Sequence, residues 1–243
     1  MTSSISIIIP AYNEEKRLPS TLKAVVRYLQ DKQWVKNEIL VVDDGSRDGT
    51  AEAVKSFAAS HPNVRLLSNP GNRGKGYSVR HGMLKARGDW ALFTDADLSA
   101  PIEELDRLFE AVRNSGTAVV IGSRALNRKL IGVHQSRLRE NGGRLFNFIM
   151  RSITGLPFAD TQCGFKLFKT EAARKVFTRQ RLERFGFDAE VLFIARHLGY
   201  GIKEVPVRWN HVEGTKMSLF RDSFDMILDL LRIRWNQVLG RYR

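Results

Sequence analysis

The stretch Ile5-Ser6-Ile7-Ile8-Ile9-Pro10-Ala11-Tyr12-Asn13-Glu14-Glu15 decides how the chain is read. An apolar run of strand length stops at a proline and gives way to an aromatic, an amide and two acids. A short apolar run without strict alternation fits a strand covered on both faces, as in parallel sheets. The same grammar recurs three times. Glu38–Val42 runs into Asp43-Asp44-Gly45-Ser46, Val64–Ser68 into Asn69-Pro70-Gly71-Asn72-Arg73-Gly74-Lys75-Gly76, and Trp90–Thr94 into Asp95-Ala96-Asp97. Ala118–Gly122 is a fifth strand candidate. Helix candidates begin near Leu18, Thr50, Lys75 and Pro101; Pro19 and Pro101 suit first-turn positions, and Asp48-Gly49 precedes the second helix. This alternation predicts an α/β fold, a mainly parallel Rossmann-like sheet flanked by helices.

After Gly122 the rhythm changes. The stretch from Arg124 to Asp160 carries no clear strand but is dense in arginine, with large apolar residues between Leu145 and Phe158, and reads as an arginine-rich helical insert. Gly164–Lys169 and Ile202–Trp209 are further strand candidates, separated by a helix near Phe187–Leu198. The segment 218–243 is predicted to be a C-terminal amphipathic helix: Phe220, Phe224, Ile227, Leu228, Leu231, Trp235, Val238 and Leu239 keep helical spacing. Its acids come early and its arginines late, which suits the helix dipole.

The 243 residues carry 39 Lys+Arg against 26 Asp+Glu, a formal charge of +13, which favours an anionic partner: nucleic acid, a membrane face or a phosphorylated substrate. No recognition-helix pattern, zinc-finger spacing or aromatic RNA-binding motif is present, so a basic nucleic-acid-binding protein is the distant alternative and no nucleic acid partner is expected. A single cysteine, Cys163, excludes an intramolecular disulfide framework and points to a reducing, cytoplasmic setting. No run approaches the roughly 18 to 20 apolar residues of a membrane-spanning helix, so any membrane contact is expected to be peripheral.

In an open parallel sheet, ligands bind beyond the carboxyl ends of the strands. Asp95 and Asp97 straddle Ala96 at one such end, where two carboxylates repel unless a cation separates them. Oxygen-only ligands favour Mg2+ or Mn2+; the alternative is a pair of turn residues capping the helix after Pro101. Asp43 and Asp44 could build a tight turn or accept hydrogen bonds from a nucleoside, and Tyr12 could stack on a base or pack at the sheet edge. Gly74-Lys75-Gly76 is not a dinucleotide fingerprint, because Val79 replaces the third glycine. Nor is it a phosphate loop, because Tyr77 stands where the lysine belongs. Arg73 and Lys75 could face a diphosphate or simply form a solvated basic turn. Cys163 reads as a small core residue.

Taken together, Ile7 to Glu15, Val41 to Thr50 and Thr94-Asp95-Ala96-Asp97 resemble the nucleotide-sugar half of the inverting family-two glycosyltransferases with a GT-A fold. Asp160-Thr161-Gln162-Cys163-Gly164-Phe165-Lys166-Leu167-Phe168, then Phe187-Asp188-Ala189-Glu190 and Val212-Glu213-Gly214-Thr215-Lys216, resemble the dolichyl-phosphate β-glucosyltransferase branch and other polyprenyl-phosphate glycosyltransferases. The resemblance implies a hexosyltransferase moving glucose from UDP-glucose to a polyprenyl (dolichyl-type) phosphate, with mannose or another sugar as the alternative. It implies that Pro10, Tyr12, Glu14, Asp43, Asp44, Lys75, Asp95 and Ala96 bind the nucleotide and that Asp95 and Asp97 hold the metal. Arg124 with Arg137 or Arg139 would bind the acceptor phosphate. Asp160, Gln162, Asp188, Glu190 and Lys216 are acceptor or sugar candidates; Asp188 and Glu190 could equally stabilise a helix start. Mannose-transferring relatives commonly place Gln where Ser99 stands. The expected organisation is a catalytic domain over 1–217, with a nucleotide-sugar half (1–123) and an acceptor half (124–217), followed by the helix of 218–243. The expected setting is the cytosolic face of a membrane, with the protein bound peripherally, either alone or as a homo-oligomer.

Overall fold

The computed structural model describes residues 3–32, 34–133, 137–212 and 221–243; at 137–141, 144 and 221–224 it describes the backbone alone. The chain runs β1 (Ile5–Ala11), α1 (Leu18–Asp31), β2 (Asn37–Asp43), α2 (Thr50–Ser60), β3 (Val64–Ser68), α3 (Lys75–Lys85), β4 (Trp90–Thr94), α4 (Leu105–Ser115) and β5 (Val119–Ser123). It continues through β6 (Ile131–Val133), α5 (Arg137–Thr154), β7 (Phe165–Lys169), α6 (Thr170–Arg179), α7 (Phe187–His197), β8 (Ile202–Pro206), β9 (Trp209–Asn210) and α8 (Arg221–Val238).

Seven strands form one sheet in the order β3-β2-β1-β4-β7-β5-β8, and β6 pairs with β9 beside it. All neighbours in the large sheet are parallel except β7, which runs antiparallel between β4 and β5. Both faces are covered, which is why the strands read as near-continuous apolar runs. Ile5, Ile7 and Ile9 point to the layer of α1 and α4, where Leu18, Leu22, Val25 and Leu29 complete the packing. Ile8, Leu40 and Val42 point the other way, toward Val79 and Met83 of α3 and the apolar residues of α6 and α7. Each fully buried side chain of this size contributes on the order of 2 kcal/mol over leaving it exposed.

Two features differ from the sequence reading, and a third, the seating of the C-terminal helix, is settled by the packing. Residues 131–133, within the stretch expected to lack strands, pair with Trp209–Asn210, so the Ile202–Trp209 stretch is divided, its first strand ending at Pro206. α6 was not anticipated, although its buried Ala172, Ala173, Val176 and Phe177 keep helical spacing. α8 is seated on the molecule through buried Met226, Leu230 and Ile233, and beyond it Tyr242 is buried against Phe193.

β1 lies between β2 and β4: the chain leaves β1 toward β2 and β3 on one side, then returns from β3 to β4 on the other, so the strand order reverses between β1 and β4. That is the point where an open α/β sheet parts its loops and leaves a crevice for ligand.

Candidate active site

The loops after β1 and β2 are tied to each other residue by residue. The Asn13 N–H donates to Ser46 Oγ at 2.9 Å, the Arg47 N–H to Asn13 Oδ1 at 2.8 Å, and the Glu14 N–H to Thr50 Oγ1 at 2.7 Å. Asn13 adopts a left-handed backbone, φ 52°, which a short amide side chain tolerates. Arg17 grips the Glu14 carboxylate through two N–H groups at 2.7 and 2.8 Å. Pro10, Tyr12 and Glu14, the expected nucleoside contacts, are each partly exposed on this edge.

Asp43 and Asp44 are both buried but serve different ends. Asp43 Oδ1 accepts the Ser46 N–H at 3.1 Å and closes its own turn. Asp44 reaches across to the loop after β3, accepting from Asn69 Nδ2 at 2.8 Å, the Arg73 N–H at 3.0 Å and the Gly74 N–H at 2.8 Å. Its carboxylate therefore fixes the glycine-rich loop that carries Lys75. Gly45 has φ +73°, and a Cβ there would stand 2.7 Å from the Gly71 backbone, so only glycine lets the two loops meet.

Lys75 then reaches the end of β4. Its Nζ lies 2.5 Å from Asp95 Oδ1. Burial alone would lower its affinity for the proton, but Asp95 and Asp188 outweigh that and keep it firmly cationic. Asp95 is pressed against Gly164, where a Cβ would fall 2.1 Å from Oδ2. Asp97 Oδ1 accepts the Ser99 N–H at 2.9 Å, and Leu98 between them holds φ 47°, a strained turn that aims the second carboxylate. Asp97 Oδ2 has no hydrogen-bond partner among the described residues. Those residues contain no cluster of three or more His, Cys, Asp or Glu able to cage a metal. Two carboxylates on one turn, one of them in a cradle that any side chain at 164 would fill, fit a hard divalent cation that completes its shell with ligand oxygens.

Behind this edge, Lys166 is wholly buried in β7 and donates to Asp188 and, at 2.7 Å, to the Cys163 carbonyl, with the Phe93 ring 5.1 Å away. Burial raises the Asp188 carboxyl and Lys166 only partly offsets it. Burial likewise pushes the Cys163 thiol up to about 12, which suits a core residue. Arg124 leaves β5 and clasps Asp160 through Nε at 2.6 Å and Nη2 at 2.8 Å, its guanidinium 5.4 Å from the Trp209 ring. Burial alone would raise Asp160, but the guanidinium outweighs it and holds the carboxyl at about 2. Glu204 orients Asp160 from behind by accepting its N–H at 2.8 Å. Beside this pair Ser123 Oγ, Thr161 Oγ1 and Gln162 Nε2 are buried without hydrogen-bond partners among the described residues.

The predicted residues thus divide. Asp95, Ala96, Asp97 and Lys75 come together at the β4 edge, with Asp188 near enough to act on Lys75. Arg124, Asp160 and Gln162 form a second group, and Asp95 is close enough to Arg124 to favour its charge. Glu190 belongs to neither: it is fully buried and accepts the N–H groups of Arg181 and Leu182. Arg137 and Arg139 lie in the first turn of α5, and their side chains are outside the described residues, as is Lys216 with its Glu213–Lys216 motif. The sequence reading gave no role to Lys166 and Gly164; the signal was a cation, Lys166, between the apolar Phe165 and Leu167 of a strand that a glycine precedes.

The sequence profile of Glycosyl transferase family 2 matches residues 6–177. The chain belongs to this family. A dolichyl-phosphate beta-glucosyltransferase of Trichomonas vaginalis is 40% identical over 94% of this chain and 72% of its own length. The dolichyl-phosphate beta-glucosyltransferases of Dictyostelium discoideum and Homo sapiens are 36% and 34% identical over 98% and 100% of this chain, and 76% and 78% of theirs. Among solved structures, glucosyl-3-phosphoglycerate synthase of Mycobacterium tuberculosis with Mn2+, uridine-diphosphate and glucosyl-3-phosphoglycerate superposes with TM-score 0.68 at 19% identity, covering 95% of this chain and 80% of that one. Mannosyl-3-phosphoglycerate synthase of Rubrobacter xylanophilus gives TM-score 0.65 at 21% identity over 98% and 75%. The mainly parallel sheet with its flanking helices is the GT-A fold of family 2 glycosyltransferases.

Proposed function

We propose that this family 2 glycosyltransferase moves glucose from UDP-glucose to a dolichyl-type polyprenyl phosphate with inversion, giving a β-linked lipid-phosphate sugar. The observation that carries the proposal is the similarity, along nearly the whole chain, to relatives named for that reaction. Pro10, Tyr12, Glu14 and Asp43 border the nucleoside, and Asp44 acts one step back by fixing the loop of Lys75. Lys75 pairs with Asp95 when no donor is bound and turns to the diphosphate when one is. Asp95 and Asp97 hold Mg2+ or Mn2+. A divalent cation bound there supplies Lewis-acid stabilisation of the charge on the departing diphosphate.

The acceptor phosphate is already an anion near neutral pH and needs no strong protein base; it needs orientation against a like-charged donor. Arg124 supplies this, with Arg137 or Arg139. Asp160 pre-sets the Arg124 fork, and the groups of Ser123, Thr161 and Gln162 that have no partner among the described residues offer hydrogen bonds to phosphate or sugar oxygens. Asp188 holds Lys166 and Lys75 in place from behind, and Lys216 is a further acceptor contact.

The lipid acceptor requires the site to work at a bilayer surface. α5 exposes Leu145 and Phe148, and α8 exposes Leu231, Trp235 and Val238, with Leu239 just beyond its end and Arg232 and Arg234 alongside. Apolar side chains flanked by arginines suit an anionic lipid interface, here the cytosolic face of a membrane. None of the described helices is long and apolar enough to cross a membrane.

The test is to offer UDP-glucose or GDP-mannose with a short-chain polyprenyl phosphate and Mg2+ and to weigh the lipid product. Glucosyl lipid phosphate from UDP-glucose is expected. A mannosyl lipid as the main product rejects the donor assignment, and free sugar alone rejects the acceptor.

A further inference from the structure

Glu190 is fully buried, yet its carboxylate is completely used. It accepts the Arg181 N–H at 3.1 and 3.0 Å, the Leu182 N–H at 2.8 Å and the Tyr242 hydroxyl at 2.6 Å. Tyr242 is itself buried, its ring tilted against Phe193 at 6.1 Å, and its oxygen also accepts from Asn236 Nδ2 at 3.3 Å. Burial and the neighbouring Glu190 charge raise the Tyr242 hydroxyl, so it remains a donor throughout the physiological range.

The turn that Glu190 holds does not end in solvent. The Tyr77 N–H donates to the Glu183 carbonyl at 3.0 Å, and Gln180 Nε2 bridges the Gly76 carbonyl at 2.9 Å and the Leu182 carbonyl at 2.7 Å. The two backbones are in direct contact: a Cβ on Gly74 would stand 2.5 Å from the Glu183 oxygen, and one on Gly76 2.8 Å from the Leu182 oxygen. Arg73 adds an ion pair to Glu183 at 3.0 Å. Turn 180–184 is therefore the floor on which the Gly74-Lys75-Gly76 loop rests, and from that loop Lys75 reaches Asp95 at 2.5 Å.

We propose that Tyr242 is a positioning residue for donor binding: its hydroxyl holds Glu190, Glu190 holds turn 180–184, and the turn sets the height of the Lys75 loop beside Asp95. The inference rests on the proposed function for its premise that this loop faces the donor diphosphate. Hydrogen bonds to a buried carboxylate are worth more than neutral ones, and loss of one leaves the remaining charge under-satisfied, so the effect reaches the two N–H groups on the far side of Glu190.

The experiment compares the wild-type chain with its Tyr242→Phe variant, which keeps the ring and deletes only the hydroxyl. UDP affinity in the presence of Mn2+ is measured by calorimetry well below the unfolding temperature, together with KM for UDP-glucose and for a short-chain polyprenyl phosphate. The expected result is a dissociation constant for UDP and a KM for UDP-glucose both raised about fivefold, the scale of one hydrogen bond, with the lipid-phosphate KM unchanged. Amide exchange at Arg181, Leu182 and Tyr77 should accelerate while that of β1 and β4 does not. Equal UDP affinity in wild type and Tyr242→Phe, or equal losses for donor and acceptor, overturns the proposal. A wild-type protein that binds no UDP overturns the functional reading and this inference with it.

Discussion

Replacing Gly164 by alanine tests whether the placement of Asp95 is a matter of close packing. The added methyl would lie 2.1 Å from Oδ2, 2.5 Å from Cγ and 2.6 Å from Oδ1, so it meets the whole carboxylate, and turning the carboxylate about its Cβ–Cγ bond does not relieve the clash. Ordinary contact requires more than about 3.4 Å, so Asp95 or strand β7 must move by roughly 1 Å. β7 is hydrogen-bonded on both sides, to β4 and β5, which leaves the partly exposed Asp95 side chain as the easier group to shift. A displacement of that size at a group that positions the donor costs about 100-fold in rate, near 3 kcal/mol of transition-state stabilisation. Overpacking adds a stability loss of about 1–3 kcal/mol. The assay is the initial rate of glucose transfer to a short-chain polyprenyl phosphate, with both substrates varied, below the unfolding temperature of the variant. Expected is a fall of about 100-fold in kcat/KM, carried mainly by the donor. A Gly164→Ala enzyme within twofold of wild type would refute the argument that the glycine exists to admit the carboxylate.

Asp97→Ala should abolish measurable transfer, a loss of at least about 1,000-fold, with an unchanged fold by circular dichroism; retained turnover would remove Asp97 from the metal site. Asp160 has a depressed carboxyl, near 2 against an ordinary value near 4. Its pairing with Arg124 therefore contributes stability that is complete above about pH 4 and is lost as pH falls through about 2, on the order of 2 kcal/mol. Unfolding of wild type and Asp160→Asn followed from pH 7 downward should show a gap that is constant to about pH 4 and then closes; a gap independent of pH contradicts the ion pair as its source. Leu231→Ser with Trp235→Ser removes exposed apolar surface from α8 without touching its buried Leu230 and Ile233. Co-sedimentation with anionic vesicles should drop several-fold at unchanged thermal stability, and undiminished binding would place the membrane contact elsewhere.

The sheet was legible because each buried strand leaves an uninterrupted apolar run and each run ends in residues that no core would accept. Asp95, Asp97 and Lys75 could be picked from such endings one by one. Their meeting could not: that Lys75 pairs with Asp95 depends on the β3-β2-β1-β4 order, which brings loops 20 residues apart in sequence to one crevice. The direction of β7 was not legible, since parallel and antiparallel strands share the same two-residue period. Strands β6 and β9 are too short for any periodicity to show. Asp44 and Glu190 illustrate a further limit. An acid beside a motif looks like a ligand-binding group, but Asp44 is taken up by the backbone N–H groups of 73 and 74 and Glu190 by those of 181 and 182, through folding that brings distant loops together. α8 shows why amphipathicity alone is ambiguous, for one side buries Leu230 and Ile233 while another exposes Leu231, Trp235 and Val238.

In the proposed reaction a lipid phosphate attacks the sugar from the side opposite the departing nucleotide. The most direct measurement is the anomeric configuration of the glucosyl lipid phosphate made from UDP-α-glucose, read from the anomeric proton coupling of the purified product. A β-linked sugar phosphate, the inverted centre, is the expected product. An α-linked product would contradict it, because a single in-line displacement at the anomeric carbon necessarily inverts that centre.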